Sequence, residues 1–89
     1  MIEIKQAGAG LVLYPNPVAG GNKIFLAGIE GENAKIKIYD MQGNLIRTMK
    51  YDKRKEEGIN IEGLKAGVYI LESIGEDGER RNGKFVKVR

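Results

Sequence analysis

Cysteine, histidine and tryptophan are absent from this sequence of 89 residues, and serine and threonine occur once each, as Ser73 and Thr48. Without cysteine there is neither a disulfide framework nor a cysteine-based zinc site, so packing and hydrogen bonding must hold the fold. Without histidine neither hydroxyl has an imidazole to serve as its base, which excludes a Ser-His-Asp arrangement. No apolar run approaches the roughly 20 residues that cross a bilayer as a helix. The first residues, Met1-Ile2-Glu3-Ile4-Lys5, lack the apolar stretch of a secretory leader, so if the natural protein is exported its targeting signal is expected upstream of this fragment.

What is present points to one folded, soluble domain. Hydrophobic residues make up 42% and charged residues 30%, too apolar a balance for intrinsic disorder. A domain of this size buries only about 60 to 65% of the surface of its unfolded chain, so few layers are expected. The net charge of +3 is a weak field for steering polyanions. Basic residues concentrate at the end, where Arg80, Arg81, Lys84, Lys87 and Arg89 have no acidic residue among them. Aromatic residues do not interleave with them in the manner of a nucleic-acid-binding module, and no nucleic-acid partner is expected.

Glycine and asparagine break the chain into short runs rich in Ile, Val, Leu, Tyr and Phe, the spacing of a sandwich or barrel. Seven runs of strand length stand out: Leu11 to Tyr14, Lys23 to Ala27, Ala34 to Tyr39, Asn44 to Tyr51, Gly58 to Ile61, Gly67 to Ile74 and Lys84 to Val88. In the third, Ala34, Ile36 and Ile38 alternate with Lys35, Lys37 and Tyr39, a half-buried strand. The sixth is apolar on both faces and reads as a central strand. Leu45, Ile46 and Met49 share a helical face, but the pattern ends at Asp52 in a run of charges, so the segment is read as a strand. Asp40-Met41-Gln42-Gly43 and Glu76-Asp77-Gly78 place glycine where a tight hairpin needs positive φ, pairing the third run with the fourth and the sixth with the seventh. Asn82-Gly83 offers a competing turn, where a bulge is expected. Ala7-Gly8-Ala9-Gly10 reads as a linker after a short strand fragment at Ile2 and Ile4. The domain proper is then 11–89, and the N-terminal fragment or a sheet edge could pair with a second copy.

Several motifs admit both a structural and a functional reading. Pro15-Asn16-Pro17 ends the first strand, because two prolines fix φ twice and remove two backbone donors; the alternatives are a stiff strand exit and a direct contact. Leu64-Lys65-Ala66-Gly67-Val68-Tyr69 sets a tyrosine at the opening of the most apolar strand, where its hydroxyl can fold back onto the upstream backbone and fix a corner. Loss of that bond in Tyr69→Phe should cost about 1 kcal/mol. Gly83 to Arg89 alternates basic and apolar residues, either an edge strand protected by lysines or a basic strand end that a partner grips. The carboxylates Glu56 and Glu57, and Glu76, Asp77 and Glu79, fall in predicted loops and read as solvated charges. Asp40 and Asn44 could offer oxygens to calcium, but no EF-hand spacing surrounds them, and neither a metal nor a cofactor is expected.

Taken in order, Pro15-Asn16-Pro17, then Ile36-Lys37-Ile38-Tyr39-Asp40-Met41-Gln42-Gly43, then Leu64-Lys65-Ala66-Gly67-Val68-Tyr69, then Lys84-Phe85-Val86-Lys87, the chain resembles the C-terminal sorting domain (type A) of cargo proteins of the type nine (Por) secretion system of Bacteroidetes. The resemblance runs from about Leu13 to Arg89. It implies an all-β, Ig-like antiparallel sandwich of about seven strands and a role as an address label without catalysis. A cargo on the N-terminal side would reach the periplasm by its own signal, the domain would engage the outer-membrane translocon, and a cell-surface sortase would cleave it off, leaving the cargo on the surface or secreted. Carried over by position, it implies recognition or fold-critical roles for Pro15, Asn16, Pro17, Gly67, Tyr69, Lys84 and Lys87, with Arg89 beside them, and cleavage around Ala7, Gly8, Ala9 and Gly10. Two departures stand out: Met1 takes the place of a cargo, and Ala66 stands where proline is common. The alternative is an accessory fibronectin-like or carbohydrate-binding sandwich, although sugar platforms usually expose aromatics and tryptophan is missing here.

Overall fold

A computed structural model of the chain describes residues 11–29, 31–55 and 57–88. Among the described residues there are eight strands, β1 (Val12–Tyr14), β2 (Val18–Ala19), β3 (Lys23–Ala27), β4 (Asn33–Asp40), β5 (Leu45–Asp52), β6 (Ile59–Asn60), β7 (Gly67–Gly75) and β8 (Arg80–Val88), and a 3-10 turn at Lys53–Lys55. They form a three-stranded sheet, β1-β3-β6, and a five-stranded sheet, β2-β8-β7-β4-β5. This two-sheet, nearly all-β architecture is compatible with the Ig-like sandwich expected from the strand pattern. It is not wholly antiparallel, because β2 runs parallel to β8, with Val18 opposite Lys87 and Ala19 opposite Val88. β2 is also the strand that the sequence hides, two residues pinned between Pro17 and Gly20.

Alternation sets the core. Ala34, Ile36 and Ile38 of β4 point inward, as do Tyr69 and Leu71 of β7 and Phe85 of β8, meeting Leu13, Ile24, Leu26 and Ile59 from the smaller sheet. Each such large apolar side chain contributes roughly 1.5 to 3 kcal/mol when fully buried. As expected, β7 lies centrally, paired antiparallel to β4 on one side and to β8 on the other.

Both predicted hairpins form. Gly43 takes φ 89° in the first, a conformation that costs glycine little. Here the Gly43 amide donates to the Asp40 carbonyl and the Asp40 amide to the Asn44 carbonyl, each at 3.0 Å. In the second, the Gly78 and Gly75 amides donate to the Gly75 and Glu79 carbonyls. The bulge expected at Asn82-Gly83 is not there: the β7–β8 register runs unbroken from Gly67 opposite Lys87 to Ile74 opposite Arg80. β8 accordingly begins four residues before the predicted seventh run. Gly83 serves close packing instead, since a Cβ there would stand 3.1 Å from the Leu11 carbonyl oxygen and 3.3 Å from the Leu13 side chain. The register shift lies between Ile38 and Tyr39, where β5 slips against β4. The Ile2/Ile4 fragment, the Ala7 to Gly10 linker and Arg89 fall outside the described residues.

Candidate functional site

Three motifs that are far apart in sequence meet at the C-terminal end of β8. The Asn16 side chain lies along the outer edge of that strand and behaves as a strand residue would: its Nδ2 donates to the Lys84 carbonyl at 2.9 Å, and its Oδ1 accepts from the Val86 amide at 3.0 Å. β2 takes over directly afterwards, at Lys87 and Val88. Pro15 and Pro17, exposed on either side of Asn16, carry no N–H of their own to compete for those partners. The proline motif therefore ends β1 and also seals β8.

The Gly67 to Tyr69 motif is bound to the same strand. Gly67 stands opposite Lys87 and Tyr69 opposite Phe85, with the Tyr69 and Phe85 rings stacked at 5.4 Å between centroids and 23° between planes. The Tyr69 hydroxyl folds back to donate to the Lys65 carbonyl at 2.6 Å, the corner expected from the sequence. Next to it, the Lys87 ammonium donates to the Leu64 carbonyl at 2.6 Å. Two consecutive carbonyls of the incoming loop, Leu64 and Lys65, are thus held by side chains of β8 and β7. Around this assembly Pro15, Pro17, Lys65, Ala66 and Lys84 face solvent.

A family model, the secretion system C-terminal sorting domain, matches residues 12–88, from the first residue of β1 to the last of β8. The chain belongs to this family. It is a type IX secretion signal, and a sorting domain works with a secretion machinery and an attached cargo to deliver that cargo to the cell surface or the medium. No curated protein and no solved structure matches the chain.

Within the sorting domain the basic tail separates into parts. Arg80 pairs with Glu72 across the strands at 3.2 Å, and the buried Arg81 pairs with Glu79 at 3.0 Å, so these two charges do meet acidic partners. Lys87 turns inward to a backbone carbonyl, and Lys84 alone of the two motif lysines is exposed. The odd spacing of the pair carries this difference, because residues three apart in a strand point to opposite faces. β8 is also not an edge strand as the alternation implied: β2 and Asn16 occupy the backbone between Lys84 and Val88 that a partner strand would need. Nothing local announces these contacts, since Asn16 and its partners lie 68 and 70 residues apart.

The remaining polar candidates are turn chemistry. The Asp40 carboxylate accepts from the amides of Gln42 and Asn44 at 2.9 Å each and from the Asn44 side chain at 3.1 Å. Those donors, the Asn44 amide first, hold its carboxyl below the ordinary range. Asp77 caps its own turn through the Glu79 amide, and Glu76 accepts from the Asn33 side chain and the Glu32 amide. The buried Ser73 hydroxyl lies on the inward face of β7, opposite Arg81.

Proposed function

We propose that this sorting domain is the address by which a cargo joined to its N-terminal side passes from the periplasm through the outer-membrane translocon, and that a cell-surface sortase then removes it. The observation that carries the reading is the family match over a fold in which the proline motif, the tyrosine corner and β8 form one assembly. An address must be presented folded and in one arrangement, and the ties from Asn16, Tyr69 and Lys87 supply that rigidity. Its exposed groups, Pro15, Pro17 and Lys84, are the contacts assigned to the machinery, while Gly67, Tyr69 and Lys87 hold them in place. Arg89, the next residue in the sequence after Val88, is assigned to the same recognition, and the sortase-cleaved bond to the stretch from Ala7 to Gly10.

The test is a fusion of this chain to a periplasmic reporter in a host that has the system. Surface delivery of the reporter, with a new reporter terminus within Ala7 to Gly10 found by mass spectrometry, is the expected result; a reporter that stays in the periplasm rejects the assignment. Lys84→Ala should lower delivery at an unchanged Tm. A second copy docking through residues 1 to 9 belongs to the same proposal, and a solution mass unchanged by deleting them rejects it.

A further inference from the structure

We propose that the outer face of the five-stranded sheet docks an acidic amphipathic polypeptide segment, an interaction that shares Lys84 with the corner on β8 and otherwise uses residues outside it. The strand register sorts onto this face residues that the sequence scatters. Arg80, Ile74, Lys35 and Lys50 stand side by side across β8, β7, β4 and β5. In a second row Lys84 stands beside Ile70 and Tyr39. The result is an aliphatic floor along β7, made by the half-buried Val68, Ile70 and Ile74, with cations on both flanks: Arg80 and Lys84 on β8, and Lys35, Lys37 and Lys50 on β4 and β5.

Charge complementarity decides the sign of the partner. Among the described residues, Glu72 is the carboxylate within this strip, and it is already engaged by Arg80 at 3.2 Å and by the Tyr39 hydroxyl at 3.5 Å. At the end of the sheet beyond Lys35 and Lys50, Asp52 is paired with Arg54, and Glu76 accepts from Asn33. Lys35 and Lys50 stand directly opposite each other on neighbouring strands, a like-charge pair that disfavours the sheet, so this cationic face exists at a cost to the fold.

Width and floor decide the class of partner. Strands lie about 4.8 Å apart, so the two cationic flanks, separated by β7, are about 10 Å apart, close to the diameter of an α-helix with its side chains. A saccharide or phosphate would meet aliphatic side chains where it needs hydrogen-bond partners. A helix with an apolar ridge at i, i+3, i+4 and i+7 and carboxylates on either side of the ridge satisfies both the floor and the flanks.

The whole chain is titrated, with its amide NMR shifts followed, against a synthetic helix of about 18 residues that has leucines at ridge spacing and glutamates on both flanks. Saturable binding is expected, with shifts concentrated at Lys35, Ile70, Ile74 and Lys84, and with affinity lost as salt rises towards about 0.5 M. Lys35→Glu combined with Lys84→Glu should weaken binding about tenfold or more at a Tm that is not lowered, since the first change sets an opposite charge facing Lys50. Replacing the peptide's glutamates by glutamine should abolish it. The proposal is overturned by equal binding of a scrambled peptide, by shifts on the other sheet, by no binding below about 1 mM, or by equal capture on phosphatidylcholine vesicles containing phosphatidylglycerol. If the double variant does not fold, the peptide series and the shift map still decide. The assay needs no secretion machinery, so its failure and a failed export assay are told apart.

Discussion

Along β8 the outer backbone of the five-stranded sheet is taken up by other parts of the chain, the Asn16 side chain and β2. Along β5, at the opposite edge, no further strand of the described residues follows. There Arg47 reaches across to the smaller sheet, its guanidinium donating to the carbonyls of Asn60 and Glu62 at 2.9 and 2.8 Å, and the register shift between Ile38 and Tyr39 bends the strand. One edge is closed by a covering made from residues distant in sequence. The other is left open and guarded by charge and distortion, the usual protection of a free edge. The closed edge is where three of the four motifs gather, the fourth being β4 and its turn into β5, and the open edge is held mainly by its own hairpin.

The largest contrast should come from removing one inward side chain on each side. Phe85 is fully buried and stacked on Tyr69, whereas Met49 of β5 is partly buried against the core. Phe85→Ala should cost about 3 to 5 kcal/mol and Met49→Ala about 1, as read from urea unfolding. Equal losses would mean that β5 is as much part of the core as β8, and the contrast would fail.

Asn16→Ala comes next. It removes two hydrogen bonds from the β8 edge without touching the core, and about 1 to 2 kcal/mol should go with them. Hydrogen exchange at the Val86 amide should quicken while that at Ile36, in the middle of β4, stays slow. If Val86 stays as slow as before, the edge is held by β2 alone.

The covered edge is also what the sequence conceals. Alternation in β4, the apolar run of β7 and the glycine turns report local geometry, and these were legible. The tyrosine corner was legible too, because Tyr69 and Lys65 lie four residues apart. Asn16, by contrast, acts on β8 from the other end of the chain, and β2 is too short to show a period. Gly83 was visible as a glycine but not as a packing position, because the atoms it makes room for belong to Leu11 and Leu13. Lys84 and Lys87 look equivalent in composition, yet strand parity alone separates them.

That parity gives the third test. Lys87→Met keeps the aliphatic stem and loses the bond to the Leu64 carbonyl, so about 1 kcal/mol of stability should be lost. Lys84→Met, on the exposed face, should stay within about 0.5 kcal/mol of the parent. Thermal unfolding of the two variants under one buffer compares them directly; equal Tm values would return the two lysines to a single role.

Acid should distinguish the two edges with the smallest effect. β5 is held at both ends by carboxylates whose protonation is disfavoured in the fold: Asp40 by the Asn44 and Gln42 amides, and Asp52 chiefly by the hydrogen bond from the Arg54 guanidinium. A carboxylate depressed in the folded state stabilises above its unfolded value, about 3.9 for aspartate, and that support is lost as pH falls through the lower folded value. The Asn16 amide that covers β8 does not titrate. Between pH 6 and pH values below about 3, amide protection in β5, at Arg47 and Tyr51, whose amides face β4, should therefore fall before protection at Val86 does. Asp40→Asn removes the titrating group while keeping one acceptor oxygen for the turn, so it should flatten the acid response at the Leu45 end of β5 and leave the Asp52 end unchanged. Simultaneous loosening of β5 and β8 on acidification would show that the two edges melt as one unit, and that the local closure of the hairpin contributes nothing separate from the sheet.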